Sequence, residues 1–290
     1  MPCLSTIQEL FLKGKSLLKD FPNPHLETKL LLLFCTSLSE EQLFSSPDKK
    51  LSRRQDRCFF KLISKRQEGF PLPYLTGSKE FWSISFKVSS AVLIPRPETE
   101  LIVEKVLELS SGGDETIVDI GTGCGNIAVS LAKELPRAKV VATDIEQKVL
   151  DIAKLNAARH KLTSITFSRG SLFSPLKRLQ LNRKCNFIVS NPPYVSEEEW
   201  MRLPREIRCF EPKSSLVAGE TGVEVLNKIV EGAFPYLKPG GCLLIEIGEG
   251  QEGKVLSFFK SSSNWAAVDI LKDLSGIPRI ILGRIQENSL

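Results

Sequence analysis

Strands and helices that alternate through the last two-thirds of the chain predict an α/β fold, a parallel sheet with helices on both faces, behind a small N-terminal helical domain. Three observations carry this. Apolar runs at 116–120, 139–143, 165–168, 186–190 and 242–246 are separated by helical patterns at 126–134, 148–160 and 223–233, and such alternation buries parallel strands beneath crossover helices. A glycine cluster links the first of those strands to its helix. Residues 1–75 contain only short amphipathic helical patterns and no strand.

Taken in order, Thr6 and Glu9 have the spacing of a capping box, followed by Ile7, Leu10, Phe11, Leu17 and Leu18 at near-helical intervals. Asn23-Pro24 has the residues of an N-cap and first helical position, with Leu26, Leu30, Leu33 and Phe34 expected along one side of the next helix. The pattern over 52–65 puts Cys58, Phe59, Leu62 and Ile63 inward and its basic residues outward. Gly69, Pro71 and Pro73 end this region, which holds no catalytic constellation and is read as a substrate-recognition domain spanning 1–75.

Residues 76–98 are expected to form a linker with a β-hairpin, because Trp82, Ile84, Phe86 and Val88 alternate with Ser83, Ser85 and Lys87. Val92-Leu93-Ile94 then runs into Pro95-Arg96-Pro97 and a helix beginning near Thr99, which opens a catalytic domain over 99–290. Stretches 266–271 and 279–282 supply the last two strands.

Bulk composition narrows the function. With 290 residues, 42% hydrophobic and 25% charged, the chain is long enough for one large and one small domain with a substantial core. No apolar run approaches the ~18 residues of a membrane span, and Met1 to Lys15 lack the layout of a signal peptide. A cytoplasmic protein with no membrane partner is expected. The seven cysteines, Cys3, Cys35, Cys58, Cys124, Cys185, Cys209 and Cys242, never form C-x-x-C and read as small buried apolar residues. His25 and His160 stand in no metal-ligating or triad pattern, so no metal is expected. Positive charge concentrates in residues 1–80, with 13 Lys/Arg against 9 Asp/Glu. Most of it lies in Lys49, Lys50, Arg53, Arg54, Arg57, Lys61, Lys65 and Arg66. A solvated helix face is the ordinary reading, and such a surface also suits an acidic partner or a polyanion.

Two motifs carry chemistry. Asp119-Ile120-Gly121-Thr122-Gly123-Cys124-Gly125-Asn126 joins the first strand to its helix. Its glycines allow close approach to a ligand, and the helix start offers free N–H groups. Asp144, 19 residues after Gly125, ends the second strand, where a carboxylate can accept both hydrogens of a ribose diol. The G-x-G-x-G spacing suits the amino-acid end of S-adenosylmethionine. A dinucleotide and a plain structural turn stay open, although the dinucleotide fingerprint wants Gly or Ala where Asn126 stands.

The second motif is Asn191-Pro192-Pro193-Tyr194, directly after the strand at 186–190. Consecutive prolines stiffen the bend and remove two N–H donors, leaving carbonyls to face a cavity. Asn191 adds a side-chain oxygen acceptor and Tyr194 a flat ring. An amide or aromatic NH2 is a poor nucleophile because its lone pair is delocalised. Two acceptors gripping its hydrogens can aim that nitrogen at a sulfonium methyl, with position and fixed dipoles supplying the acceleration. Asn191, Pro192 and Tyr194 are the expected catalytic residues, and Asn191, Pro192, Pro193 and Tyr194 the expected substrate-binding set. A proline turn with Tyr194 as core filler is the structural alternative.

Together with Pro73-Tyr74-Leu75-Thr76-Gly77-Ser78-Lys79-Glu80-Phe81, Ile94-Pro95-Arg96-Pro97-Glu98-Thr99-Glu100, Glu211-Pro212, Gly240-Gly241, Glu246-Ile247-Gly248 and Gln251, these motifs resemble the release-factor glutamine methyltransferases, the PrmC/HemK family, over nearly the whole chain. The resemblance implies a seven-stranded class I methyltransferase sheet (Rossmann-like) and S-adenosyl-L-methionine as donor, with S-adenosyl-L-homocysteine as product. It implies as substrate the glutamine amide (N5) in the Gly-Gly-Gln motif of class I peptide chain release factors, docked by the helical domain. Gly121, Thr122, Gly123, Cys124, Gly125, Asp144, Leu172 and Asn191 are the implied donor-binding residues, with Arg96 and Pro95–Pro97 at the mouth of the active site. The chain departs from the family at Ser171-Leu172-Phe173, where an Asp usually precedes the bulky residue near the adenine, so Leu172 is left to cover that ring. A monomer without stably bound nucleic acid is expected. The alternatives are a DNA or RNA adenine amino-methyltransferase, which faces the same NH2 chemistry, and a non-catalytic binding protein on the same fold.

Overall fold

The computed structural model describes residues 4–287, so Cys3 lies outside the described residues. The chain divides into two compact units, one running up to Ser78 and completed by Pro204–Phe210, the other comprising Lys79–Leu203 and Glu211–Leu290.

The first unit is helical. Its helices are α1 (Ile7–Leu17), α2 (Pro24–Thr36), α3 (Glu40–Ser45), α4 (Arg53–Gln67) and α5 (Leu72–Thr76), joined by the short helix Arg205–Phe210. The Thr6/Glu9 capping box forms as the spacing predicts, and Ser39/Gln42 and Ser52/Gln55 repeat it at α3 and α4. Leu10, Leu18, Leu31, Leu32, Phe59 and Ile63 form the core. The expected face of α2 is wrong. It buries Glu27, Thr28, Leu31, Leu32 and Thr36, whereas Leu26 and Phe34 are exposed.

The reason is an ion pair. Arg66, expected on the basic surface, is buried, and its guanidinium donates to both carboxylate oxygens of Glu27, at 2.6 and 3.0 Å. Glu206 lies 3.0 Å from the same group, the Phe70 carbonyl accepts another of its hydrogens, and the Phe21 ring sits 4.3 Å from it. A polar residue thereby occupies the inner face of α2, which hides that face from an apolar count. Arg53, Arg54, Arg57 and Lys61 do point outward.

The second unit opens with a hairpin, β1 (Ser78–Phe81) and β2 (Ile84–Lys87), turned by Trp82 and Ser83 at positive φ. A 3-10 turn at Pro97–Thr99 leads into α6 (Glu100–Leu109). The main sheet begins with β3 (Thr116–Ile120), β4 (Lys139–Asp144), β5 (Ile165–Arg169) and β6 (Cys185–Ser190), with α7 (Asn126–Glu134) and α8 (Gln147–Arg159) as the first crossovers. Beyond a short parallel pair, β7 (Val195–Ser196) and β8 (Val217–Gly219), it closes with β9 (Leu237–Glu246), β10 (Trp265–Lys272) and β11 (Pro278–Ile285). The spatial order is β10-β11-β9-β6-β3-β4-β5. This is a seven-stranded sheet of the class I methyltransferase kind, with one difference from expectation. The sheet is mixed, because β11 runs antiparallel to β9 and to β10. A tight turn at 273–277, tied by Asp273, returns the chain directly and leaves no room for a crossover helix.

Among the described residues no helix is long and apolar enough to cross a membrane, and no three His, Cys, Asp or Glu side chains group as metal ligands. Cys124, Cys185 and Cys242 are buried as expected, but Cys209 is exposed, and the half-buried Cys35 and Cys58 bring their sulfurs to 2.9 Å.

Stranding a buried charge costs about 3–5 kcal/mol, but Glu206 and the Phe70 carbonyl still hold Arg66 when Glu27 is lost, so a smaller loss of about 1–3 kcal/mol applies here. Glu27→Ala is expected to destabilise the helical unit by that order, read as a lower denaturant midpoint, whereas Lys61→Ala on the outer face of α4 is expected to leave the midpoint within about 0.5 kcal/mol of wild type.

Candidate active site at the strand carboxyl ends

The strand order reverses between β3 and β6, and a crevice opens at the carboxyl ends of strands on either side of such a reversal. Register decides what meets there. Ile120 lies beside both Thr143 and Ser190, and Ser190 lies beside Ile245. The next residue on each strand therefore falls in one row: Asp144 on β4, Gly121 after β3, Asn191 after β6 and Glu246 on β9. Two motifs 70 residues apart become neighbours.

The glycine loop is shaped by its own hydrogen bonds. The Thr122 N–H donates to the Thr143 carbonyl at 2.8 Å, and the Thr122 hydroxyl donates to Asp119 Oδ2 at 2.6 Å. Gly121 and Gly123 adopt φ of 72° and 57°, in the left-handed region where a side chain is strained, and a Cβ on either would meet nothing within 4 Å. The loop thus has an open flank. Gly125 is different: its Cβ would press on Ala153 Cβ at 3.1 Å, so it serves the packing of α7 on α8. The Cys124 side chain is buried, and the residue contributes its carbonyl, which accepts from Asn156 Nδ2 at 2.8 Å.

Asp144 Oδ2 accepts the Gly123 N–H at 3.2 Å and Oδ1 accepts the Glu146 N–H at 3.1 Å, which fixes the carboxylate at the strand end. Burial raises its pKa in spite of those donors. Next to it the apolar Ile145 is exposed. Asp119 is fully buried, and desolvation pushes its carboxyl up to about 7 against the lowering effect of the Thr122 hydrogen bond. Leu172 sits after β5 with φ 46°, a position whose Gly170 N–H donates to the Asp144 carbonyl at 2.9 Å. Its neighbour Phe173 turns away and stacks on Tyr236.

At the second motif Pro192 is buried, Asn191, Pro193 and Tyr194 are half-buried, and Asn191 Nδ2 donates to Thr99 Oγ1 at 3.0 Å. The Thr99 hydroxyl donates to Glu246 Oε2 at 2.6 Å, and the Tyr194 hydroxyl donates to Glu246 Oε1 at 3.2 Å. The Tyr194 carbonyl accepts from Gln251 Nε2 at 2.7 Å, and Gln251 Oε1 accepts the Gly248 N–H. Tyr194 is therefore anchored through its hydroxyl and, separately, through its backbone carbonyl, while its ring packs against the core of the sheet. Desolvation and the Glu246 charge raise the pKa of its hydroxyl, which stays protonated at neutral pH. Arg96, expected at the mouth, is committed at 2.6 Å to Glu211, whose other oxygen takes the Ile94 N–H at 3.3 Å.

Three residues here were not foreseen as site residues. Thr99 and Glu246 stand in the motifs above without an assigned role, since only the folded chain brings Thr99 against Asn191 and Glu246 against Thr99. Asn156 is buried on the inner stripe of α8, where it also binds the backbone of Lys87 in both directions, at 2.7 and 3.0 Å. A lone Asn among Val149, Leu150, Ala153 and Ala157 was a legible signal for that bridge.

Comparison with known proteins agrees with this architecture. Residues 97–206 match the family described as "Methyltransferase small domain", and residues 9–77 match "PrmC N-terminal domain". A protein of Koribacter versatilis named release factor glutamine methyltransferase is 39% identical over 91% of this chain and 92% of its own length. Proteins of the same name from Rhodopirellula baltica and Nitratidesulfovibrio vulgaris are each 36% identical, covering 91% and 97% of this chain and 90% and 95% of theirs. In fold, a methyltransferase crystal structure from Pyrococcus furiosus superposes with a TM-score of 0.53 at 18% identity, over 77% of this chain and 99% of that one.

Gly125→Ala is expected to strain a left-handed backbone and crowd Ala153 together. A stability loss of about 1–3 kcal/mol should appear in denaturant unfolding, together with weaker S-adenosylhomocysteine binding in calorimetry as the loop shifts.

Proposed function

Because the chain belongs to the release factor glutamine methyltransferase family, we propose that it methylates the N5 side-chain amide of the glutamine in the Gly-Gly-Gln motif of class I peptide chain release factors. The observation that supports this most is the row at the strand ends, in which the bend at Asn191 stands beside the open flank of the glycine loop.

The residues fit S-adenosylmethionine. The flank of Gly121 and Gly123 leaves room for a ligand against backbone, Asp144 offers a carboxylate for the ribose hydroxyls, and exposed Ile145 with Leu172 offers apolar surface for the adenine. Thr122, Cys124 and Gly125 set the shape of that cradle. When bound, S-adenosylmethionine supplies an electrophilic methyl carbon on a sulfonium sulfur. The chain's own task is then to hold the glutamine amide. Asn191 Oδ1 accepts one hydrogen of the substrate NH2, and the Pro192 carbonyl, which among the described residues accepts no backbone hydrogen bond in the loop, accepts the other. Pro193 holds the bend, and the tethered Tyr194 ring lies against the planar amide.

Gripped this way, the nitrogen can leave the plane of its amide and direct its lone pair at the methyl carbon. Its proton becomes acidic only as the new bond forms, so no strong base is required beforehand. Fixed acceptors need no reorganisation as charge develops, which is the larger part of their effect. In this reading the enzyme is a cytoplasmic monomer whose macromolecular partner is the release factor, engaged by the helical unit, with no stably bound nucleic acid.

Incubation with labelled S-adenosylmethionine should label release factor but not a variant with Gln→Ala in its Gly-Gly-Gln loop. Label on DNA instead would move the assignment to an adenine amino-methyltransferase, and label nowhere would favour a binding protein. Asn191→Ala is expected to lower kcat by about 10²-fold or more while S-adenosylhomocysteine still binds. Tyr194→Ala is expected to raise KM for release factor more than it lowers kcat, and an unaltered KM would remove the ring from the substrate site.

A further inference from the structure

A carboxamide has nearly the same shape whichever way it is turned, so something must decide whether Asn191 shows its oxygen or its NH2 to the substrate. Only the oxygen can grip an NH2 group. The deciding groups lie behind Asn191. Glu246 is 2% exposed, and its two oxygens accept the hydroxyls of Thr99 and Tyr194. A threonine hydroxyl carries a single hydrogen. Once that hydrogen is given to the carboxylate, Thr99 Oγ1 has only lone pairs for Asn191. The amide must then bring its NH2 to Thr99, as it does at 3.0 Å, and turn Oδ1 the other way.

We propose that Thr99 and Glu246 are positioning residues that set the amide orientation of Asn191, and that a proton on Glu246 reverses it. The reversal balances hydrogen for hydrogen. A proton taken up from solvent on Glu246 Oε2 is donated to Thr99 Oγ1, the Thr99 hydrogen swings round to Asn191 Oδ1, and the amide turns its NH2 toward the substrate. There it would oppose the hydrogens of the glutamine amide. The inference rests on the methyl-transfer reading for its consequence in turnover, but not for the orientation itself.

The surroundings place this titration in the neutral range. Burial is the dominant influence on Glu246 and pushes its carboxyl up to about 7, with Glu98, from the same 3-10 turn as Thr99, adding to the rise. Thr99, Tyr194 and the more distant Arg279 of β11 pull the other way. Arg96 and Arg279 act on Tyr194 in turn. Glu246 is ionised above that pH and protonated below it, so the competent orientation of Asn191 fills as pH rises through neutrality.

The orientation is read in the free enzyme from the side-chain NH2 resonances of Asn191, assigned by their loss in Asn191→Ala. From about pH 5.5 to 9 they should shift with a near-neutral midpoint in wild type and stay still in Glu246→Gln and Thr99→Val. A wild-type amide that does not move, or one that moves equally in both variants, overturns the proposal.

Turnover supplies the second readout. Thr99→Val should lose about 10- to 100-fold in kcat with S-adenosylhomocysteine affinity kept, and Thr99→Ser should recover most of it. The acid limb of the kcat profile should vanish in Glu246→Gln. Full kcat in Thr99→Val, or an intact acid limb in a folded Glu246→Gln, overturns it too. If Glu246→Gln does not fold, the Thr99 pair decides alone. If wild type methylates nothing, the functional reading fails while the amide titration still tests the orientation.

Discussion

Everything at the site depends on the hydrogen-bonded register of four parallel strands. Ladder bonds between β4, β3, β6 and β9 align Thr143, Ile120, Ser190 and Ile245 in one line. Those ladder bonds bring Asp144, the glycine loop, Asn191 and Glu246 together. In these central strands, packed on both faces, moving one strand by a single residue would exchange its two sets of side chains and break their fit to the helices on each side. Hydrophobic burial of Val118, Ile120, Ile188, Val189, Leu243 and Ile245 therefore fixes the chemistry indirectly. It holds backbone ends at a spacing that the loops only elaborate.

Inside that frame, charge is admitted where it has partners. Asp119 and Glu246 are both buried carboxylates whose pKa values desolvation lifts toward 7, and each is offset by a hydroxyl, Thr122 in one case and Thr99 with Tyr194 in the other. The helical unit solves the same problem with a different pair, placing Arg66 between Glu27 and Glu206. A carboxylate bonded at both oxygens, as Glu246 is, specifies one geometry, because any other leaves a donor or acceptor unsatisfied. At the proposed active site the same constraint runs through Thr99, whose single hydrogen goes to Glu246 and leaves only lone pairs for Asn191.

Much of this was legible in the residues themselves. The apolar runs marked β3, β4, β6 and the end of β9 because those strands are buried on both faces, whereas the edge strand β5 was marked by its place in the alternation, and the two loop motifs marked their own places at strand ends. What escaped was information carried between strands. The antiparallel return of β11 depends on a five-residue turn that periodicity does not register. Thr99 and Glu246 are 147 residues apart, and nothing local announces their hydrogen bond. On α2 the error had a specific cause. Glu27 and Thr28 occupy the inner face, so a count of leucines pointed to the outer one, and the Arg66 that compensates Glu27 looked like one more member of a basic stripe.

The most direct test of the account is a crystal structure of the protein with S-adenosylhomocysteine and a Gly-Gly-Gln peptide. The thioether should lie along the flank of Gly121 and Gly123, with the glutamine NH2 bound by Asn191 Oδ1 and the Pro192 carbonyl and its nitrogen facing the sulfur. A peptide whose glutamine lies away from Asn191, or a thioether turned from the bend with no space for an amide between them, would contradict it.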